Sequence, residues 1–447
     1  MKRDSWGSKL GFIFAVAGSA VGLANIWRFP YIVGNNGGAA FILVYLMCLF
    51  VIGLPVFIAE IVIGKRSQLD PSGAFSYLGR SRAWGAAGKL TILTGFLVSS
   101  FYSAVAGWVL GYLIEALKGN LVSIENKQAA IDHYLALVLN PVWGVGFHAA
   151  FIFGCIAVLY FGVRQGIERW NKFFMPLLFV ILMILVVKGF FMPNALEGLH
   201  FLLRPDFSKI TPSVLLIALG QSFFTLSVGQ GTLVTYGGYL PRKENVLSSA
   251  LPVVAMDTLV SIFSAFAVFT IVFSVGMNPD SGPALIFHTL PLVFSQITGG
   301  YMMSILFFLL VFLAALTSEI SALEPSIAYL VDERKWSRHH AVIACGSLAF
   351  FVGIPSALSS SLLRDWPVFG FPTFLDAMMF LCSDLLIPIG GFAAVMMAGW
   401  KWGARNAIAE IGEGVTKKKW LYKYFVFCFK YVSPILIIIV FLSALLS

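Results

Sequence analysis

The sequence predicts an all-α polytopic membrane protein of about eleven transmembrane helices, folded as a 5+5 inverted repeat with discontinuous helices 1 and 6. Three observations carry that prediction. Of 447 residues, 59% are hydrophobic and only 11% charged, a balance foreign to soluble globular domains. The apolar residues collect into eleven stretches, most of them near the twenty or so residues that cross a bilayer. Two of those stretches, five apart in order, are interrupted by glycine and hydroxyl residues.

The stretches run at roughly 11–33, 39–64, 87–117, 144–163, 167–187, 213–237, 247–275, 300–331, 338–355, 367–399 and 420–446. A very short loop separates the fourth from the fifth. The chain reads as one transmembrane domain, 1–447, with repeats at about 9–190 and 210–400 and an extra helix at about 420–446. The longest segments without a span are 188–212 and 401–419. No cleavable signal peptide is expected, because the first apolar stretch lacks a small-residue cleavage site and runs into Asn25 and Arg28.

The net charge of +9 is explained by topology and needs no nucleic-acid partner. With the N-terminus inside, basic residues such as Lys2, Arg3, Lys65, Arg66, Arg80, Arg164, Arg242, Arg338, Lys401 and Lys417 all fall on one side. Only Lys118, Lys127, Lys188, Arg204, Lys209 and Arg364 fall on the other. That bias predicts a cell-membrane protein with a cytoplasmic N-terminus and, for eleven spans, an external C-terminus. The five cysteines lie inside predicted spans at unrelated spacings, which argues against a disulfide or metal framework. Neither a zinc-type HExxH nor a paired nucleophile and base is visible, so an enzyme is not expected.

The interruptions are "GSAVGLAN" (18–25) and "FFTLSVGQG" (223–231). A broken helix exposes N–H groups on one half and C=O groups on the other. Against lipid these are intolerable; against a ligand, N–H ends attract a carboxylate and C=O ends a cation. An offset of five spans inverts the second copy relative to the first, so the two breaks meet near mid-membrane.

Charges inside spans cost on the order of 3 kcal/mol each, so Arg28, Glu60, Asp257, Glu319 and Glu324 ask for reasons. In "VVAMDTLVS", Asp257 and Ser261 share a face at i, i+4, as do Gln221 and Thr225. In "LAALTSEIS", Ala314, Thr317 and Ser318 are i, i+3, i+4. Such sets, rich in neutral oxygens with at most one carboxylate, suit a monovalent cation. The alternative for Thr317 and Ser318 is that both hydroxyls bond back to the preceding turn.

The segments "SAVGLANIWRFPYIVGNNGGAAF", "GQSFFTLSVGQG" and "LAALTSEISALEP" resemble the hallmark segments of the neurotransmitter:sodium symporter family, over nearly the whole chain. The resemblance implies the leucine-transporter (LeuT) fold and sodium-driven uptake of amino acids or amines. It implies two Na+ sites: Ala20, Asn25, Thr225 and Asp257 for the first, and Gly18, Val21, Ala314, Thr317 and Ser318 for the second. The substrate would meet Gly22, Leu23 and Tyr102 through its carboxylate, and Ala20, Phe224, Thr225 and Ser227 through its amine. Val98, Tyr102, Phe224, Gln230, Ser318 and Ala322 would line the side-chain pocket. An outer gate would pair Arg28 with Asp376, with Asp365 as the rival, and an inner gate Arg3 with Asp332, with Trp6 and Tyr239 as a latch. Glu60 would hold the unwound part of span 6, and Gly166 and Pro176 resemble an element that lets span 5 unwind.

Chloride-dependent relatives carry Asn where this chain has Asp257. A fixed negative charge there predicts no chloride requirement. Gly22 favours a substrate with its own carboxylate; Ala322 makes room for a larger side chain, whereas polar Gln230 offers a hydrogen bond. The expected substrate is a neutral, hydrophobic or aromatic amino acid. An ion channel and a non-transporting amino-acid sensor are the alternative readings.

Overall fold

The computed structural model describes residues 4–276 and 286–446. Among the described residues the secondary structure is helical, apart from two isolated β-bridges. Nine helices among the described residues are long and apolar enough to cross a membrane: Ala39–Ser67, Arg82–Lys118, Pro141–Tyr160, Val163–Phe190, Val246–Phe273, Gly300–Asp332, Arg338–Ala357, Phe374–Lys401 and Lys419–Leu446. A tenth is the pair Lys9–Ala20 and Ala24–Asn35, bent by 54° at its break. The sixth expected crossing is split into Pro212–Thr225 and Thr232–Gly238, each half too short to span alone. The expected spans therefore all have helical counterparts, hereafter spans 1 to 11 in chain order.

Local sequence sets the ends. Ser8, Ser81, Asn140, Thr211, Asn245 and Ser337 each turn a side-chain oxygen onto the first free N–H groups of the helix that follows. Pro141 and Pro212 begin their helices, where no N–H is needed. Span 10 begins only at Phe374, later than the sequence suggested. The segment expected to lack a span at 188–212 holds a short helix, Ala195–Leu203.

Spans 3 and 8 form the centre, with 78% and 67% of their most apolar windows buried, against 33% for span 11. Small residues allow close approach beside the site. A methyl on Gly64 would strike the Val234 carbonyl, and one on Gly237 the Ile61 carbonyl, so span 2 and the second half of span 6 lie backbone to backbone. All five cysteines are buried and free.

Candidate functional site

The first break opens where Val21 turns extended (φ −75°, ψ 108°) and the chain resumes helically at Ala24. The second lies between Thr225 and Thr232, where Ser227 (φ 53°), Gly229 (φ 82°) and Gly231 (φ 77°) are all left-handed. That conformation is costly for the non-glycine Ser227. Its hydroxyl donates to the Ser19 carbonyl at 2.8 Å, so the two breaks touch. From behind, Glu60 Oε1 accepts the Gly229 N–H at 2.6 Å, the support expected of it.

Beside the breaks, buried oxygens converge on one amide. Asn25 Nδ2 faces Asp257 Oδ1 at 2.6 Å, Ser261 Oγ at 2.8 Å, Thr225 Oγ1 at 3.0 Å and the Asp257 carbonyl at 3.4 Å. Thr225 Oγ1 donates to the Asp257 carboxylate at 2.9 Å. An amide nitrogen has two protons, so these oxygens outnumber what it can satisfy. Asn25 Oδ1 meanwhile accepts the Gly22 N–H at 2.9 Å.

Around the second expected ion set, Thr317 Oγ1 bonds back to the Leu313 and Ala314 carbonyls, both at 3.1 Å, the alternative raised by its spacing. Ser318 instead reaches the Ser19 carbonyl at 3.3 Å. Gly18 packs so closely that a methyl there would strike Asn171 Oδ1 and stand 3.1 Å from Thr317 Cβ. Val21 closes the first half of span 1, its N–H bonded to the Ala17 carbonyl at 2.8 Å.

One pocket joins these parts. It is lined by Ala20, Gly22, Leu23, Val98, Tyr102, Phe224, Ser227, Gln230, Ser318 and Ala322, all expected, and by Ala24, Glu319 and Ile387, which were not. Thr225 is the one expected substrate contact that does not line it; its hydroxyl is turned to Asp257. Tyr102 Oη accepts the Leu23 N–H at 3.2 Å.

At one end of the pocket, Arg28 lies with its guanidinium carbon 5.3 Å from the centre of the Phe224 ring. Among the described residues Arg28 forms no direct ion pair with the expected partner Asp376; Asp384, deeper on the same span, is the carboxylate whose charge bears on it. Asp376 lies in the first turn of span 10 and accepts from the Thr373 hydroxyl at 2.7 Å; Asp384 is two turns deeper. Ahead of span 1, away from the pocket lining, Trp6 Nε1 donates to the Tyr236 carbonyl at 3.0 Å and the Trp6 and Tyr239 rings meet edge-on at 6.0 Å. The expected pair of Arg3 with Asp332 lies outside the described residues through Arg3.

With this geometry in place, likeness to known proteins can be read. A model of the sodium:neurotransmitter symporter family matches residues 3–132 and 145–447. The chain belongs to this family. It is 36% identical over 442 residues, 99% of this chain and 98% of the relative, to an uncharacterized sodium-dependent transporter of Bacillus subtilis, YhdH. It is 27% identical over 496 residues, all of this chain and 77% of the relative, to a sodium-dependent serotonin transporter of Drosophila melanogaster. The crystal structure of MhsT in complex with L-phenylalanine is 40% identical and superposes with a TM-score of 0.91 over 99% of this chain and all of that one. The architecture is accordingly the LeuT fold, and the chain is a multi-pass member of a family of sodium-coupled symporters.

Within this symporter, sequence reasoning missed several site residues. Arg338, counted only as a basic loop residue, forms a two-pronged pair with Glu324 at 2.9 and 2.8 Å and lies 3.7 Å from Asp4. Glu168 accepts from the Gly7 N–H at 2.6 Å, from Ser8 and from Lys172, tying the N-terminal segment to span 5. The i, i+4 spacing of Glu168 and Lys172 was the available signal. Glu319 was conspicuous as an intramembrane charge, but nothing in the sequence aimed it at the pocket.

Proposed function

We propose that this symporter takes up a neutral, hydrophobic or aromatic amino acid by alternating access, with two sodium sites and no chloride requirement. The observation that carries the reading is the contact of two broken helices at one pocket, flanked by the oxygen cluster around Asn25 and Asp257. The first sodium takes the Ala20 carbonyl, Asn25, Thr225 and Asp257; the second takes the carbonyls of Gly18, Val21 and Ala314 with Thr317 and Ser318.

Asn25 couples ion to substrate. Its Nδ2 stands where oxygens converge, and its Oδ1 holds the Gly22 N–H. To ligate a cation the amide must turn its oxygen to the cluster, which frees the Gly22 N–H for a carboxylate. The amine then meets the carbonyls of Ala20, Phe224 and Thr225 and the hydroxyl of Ser227. The Asp257 carboxylate supplies the negative charge that otherwise calls for chloride, and Tyr45, Ser261 and Thr225 stand beside it.

Each sodium ion crossing 100 mV gains about 2.3 kcal/mol, and a tenfold gradient adds about 1.4. Two ions supply roughly 7 kcal/mol, enough for about 10⁵-fold accumulation of a neutral substrate. Spans 1, 2, 6 and 7 move against spans 3, 4, 8 and 9. The Arg28 end faces outward, with Asp384 across the mouth. The Trp6 end faces the cytoplasm, closed by the Trp6–Tyr239 latch and the Arg338–Glu324 pair. The C-terminus is external.

Purified protein in liposomes tests this. An inward sodium gradient should drive concentrative uptake of radiolabelled amino acid, in gluconate as well as chloride medium. Equal binding in potassium and sodium buffers would overturn the reading, and large steady currents would mark a channel instead.

A further inference from the structure

Resting on the amino-acid reading above, we propose that the side-chain end of the pocket selects substrates whose side chain ends in a hydrogen-bond donor, an N–H or O–H group, and that Glu319 is the residue that reads it. Glu319 is fully buried on span 8, directly after Ser318. The Ser99 hydroxyl donates to its Oε1, and its Oε2 has no partner. The same side chain lines the substrate pocket. Across that pocket Gln230, 7% exposed, carries a second buried oxygen without a partner, Oε1.

Two unsatisfied acceptors in one pocket set a chemical demand. Leaving a buried acceptor unpaired costs about 1–3 kcal/mol, and more for a charged group. Natural interiors contain few such groups, and each calls for an explanation. A phenyl or alkyl tip leaves both oxygens unpaired, whereas a donor tip satisfies one or both.

The two residues are not equivalent. Gln230 can turn its amide and offer Nε2, so it adapts to acceptors as well. In either protonation state the Glu319 carboxyl keeps an oxygen that can accept, whereas the Ser99 hydroxyl already occupies Oε1. The preference for donors therefore sits on Glu319. Ala322, one turn further along the same helix and also in the pocket wall, is a small side chain beside Glu319. Among the described residues no Lys, Arg or His forms an ion pair with Glu319, so no internal cation occupies its free oxygen. Tyrosine and glutamine would answer that oxygen as neutral donors; lysine would answer it as a cation, outside the neutral class proposed above.

Matched amino-acid pairs separate these chemistries: tyrosine with phenylalanine, glutamine with methionine, lysine with norleucine. Sodium-driven uptake of each is measured in liposomes bearing the full-length protein. The expected result is a half-saturating concentration at least about tenfold lower for the donor member of one pair or more, the size an orphaned acceptor implies. The pair that responds tells a neutral donor from a cation. In Glu319→Ala that ratio should collapse towards one, and the nearly isosteric Glu319→Gln, which keeps an acceptor, should retain part of it.

The wild-type ratios need no variant to fold. Preference for the apolar member in every pair overturns the proposal while leaving sodium-coupled transport in place. An unchanged ratio in Glu319→Ala also overturns it. Absence of sodium-driven uptake for all six amino acids removes both this proposal and the transport reading beneath it.

Discussion

Arg338 grips Glu324 with both guanidinium nitrogens, at 2.9 and 2.8 Å, and the same carboxylate accepts the Tyr239 hydroxyl at 2.7 Å. The pair joins spans 8 and 9 and ties them to the second half of span 6. Glu324 is fully buried and Arg338 is 17% exposed, so losing one partner strands a charge away from water. Arg338→Ala should cost on the order of 3–5 kcal/mol, whereas Arg338→Met combined with Glu324→Gln should restore much of it. Thermal unfolding in detergent measures both. Equal losses in the single and double variants would contradict the argument.

Glu60 is a different kind of support, because it holds backbone. Its Oε1 takes the Gly229 N–H in the unwound stretch. Glu60→Gln keeps an acceptor and should keep most transport. Glu60→Ala leaves that N–H without its partner and should lower uptake about tenfold or more, in line with a buried donor's cost of about 1–3 kcal/mol. Parallel uptake assays on the two variants give the comparison, and similar activities would count against this role.

Gly18 has no room for a side chain. Its absent methyl would strike Asn171 Oδ1 and crowd Thr317. Gly18→Ala should therefore push span 1 away from spans 5 and 8, weakening sodium activation while leaving the protein in the membrane. The readout is the sodium concentration for half-maximal uptake, which should rise several-fold.

Asp257 carries the prediction about anions. Asp257→Asn removes the only carboxylate in the first ion cluster but keeps an oxygen at the position. The variant should transport slowly in gluconate and recover in chloride, whereas the parent should be indifferent. Uptake in the two media decides it; a variant equally active in both would remove Asp257 from the charge balance.

Asp70 ties stability to pH outside the spans. It caps the helix Pro71–Gly79 by accepting the Ser72 N–H at 2.9 Å. Burial, then the charges of Asp332 and Glu333, push its carboxyl up to about 6. A carboxyl raised above its unfolded value near 3.9 binds its proton more tightly when folded. Its contribution is thus most favourable below about pH 4 and is lost as pH climbs through about 6, a change of about 3 kcal/mol at most. Asp70→Asn preserves the cap and removes the charge. The variant should unfold at a higher temperature than the parent at pH 7.5, with the difference closing near pH 4.5.

What the sequence revealed and what it hid divide along physical lines. Both breaks were legible, because glycine and hydroxyl residues in an apolar run have few other uses. Asn25, Thr225 and Asp257 were legible through helical spacing and shared motifs. Arg28's counter-charge was not. Choosing among Asp365, Asp376 and Asp384 requires the starting point of span 10, and one turn of error moves a side chain by 5.4 Å. The Arg338–Glu324 pair was hidden because it closes across a turn between two helices, where no periodicity applies. Glu319 showed its charge but not its direction, which depends on how span 8 is rotated against span 3.

The backbone contact of Gly64 with Val234 and of Gly237 with Ile61 has a mechanical outcome. The lower part of span 2 and the helix Thr232–Gly238 are locked as one piece, so neither can swing alone. The same span 2 presents Leu43, Met47 and Phe50, each at least half exposed, on its outer surface. A displacement deep in the molecule is therefore delivered straight to the surrounding acyl chains. Turnover in a carrier built this way should depend on how thick and how stiff its bilayer is.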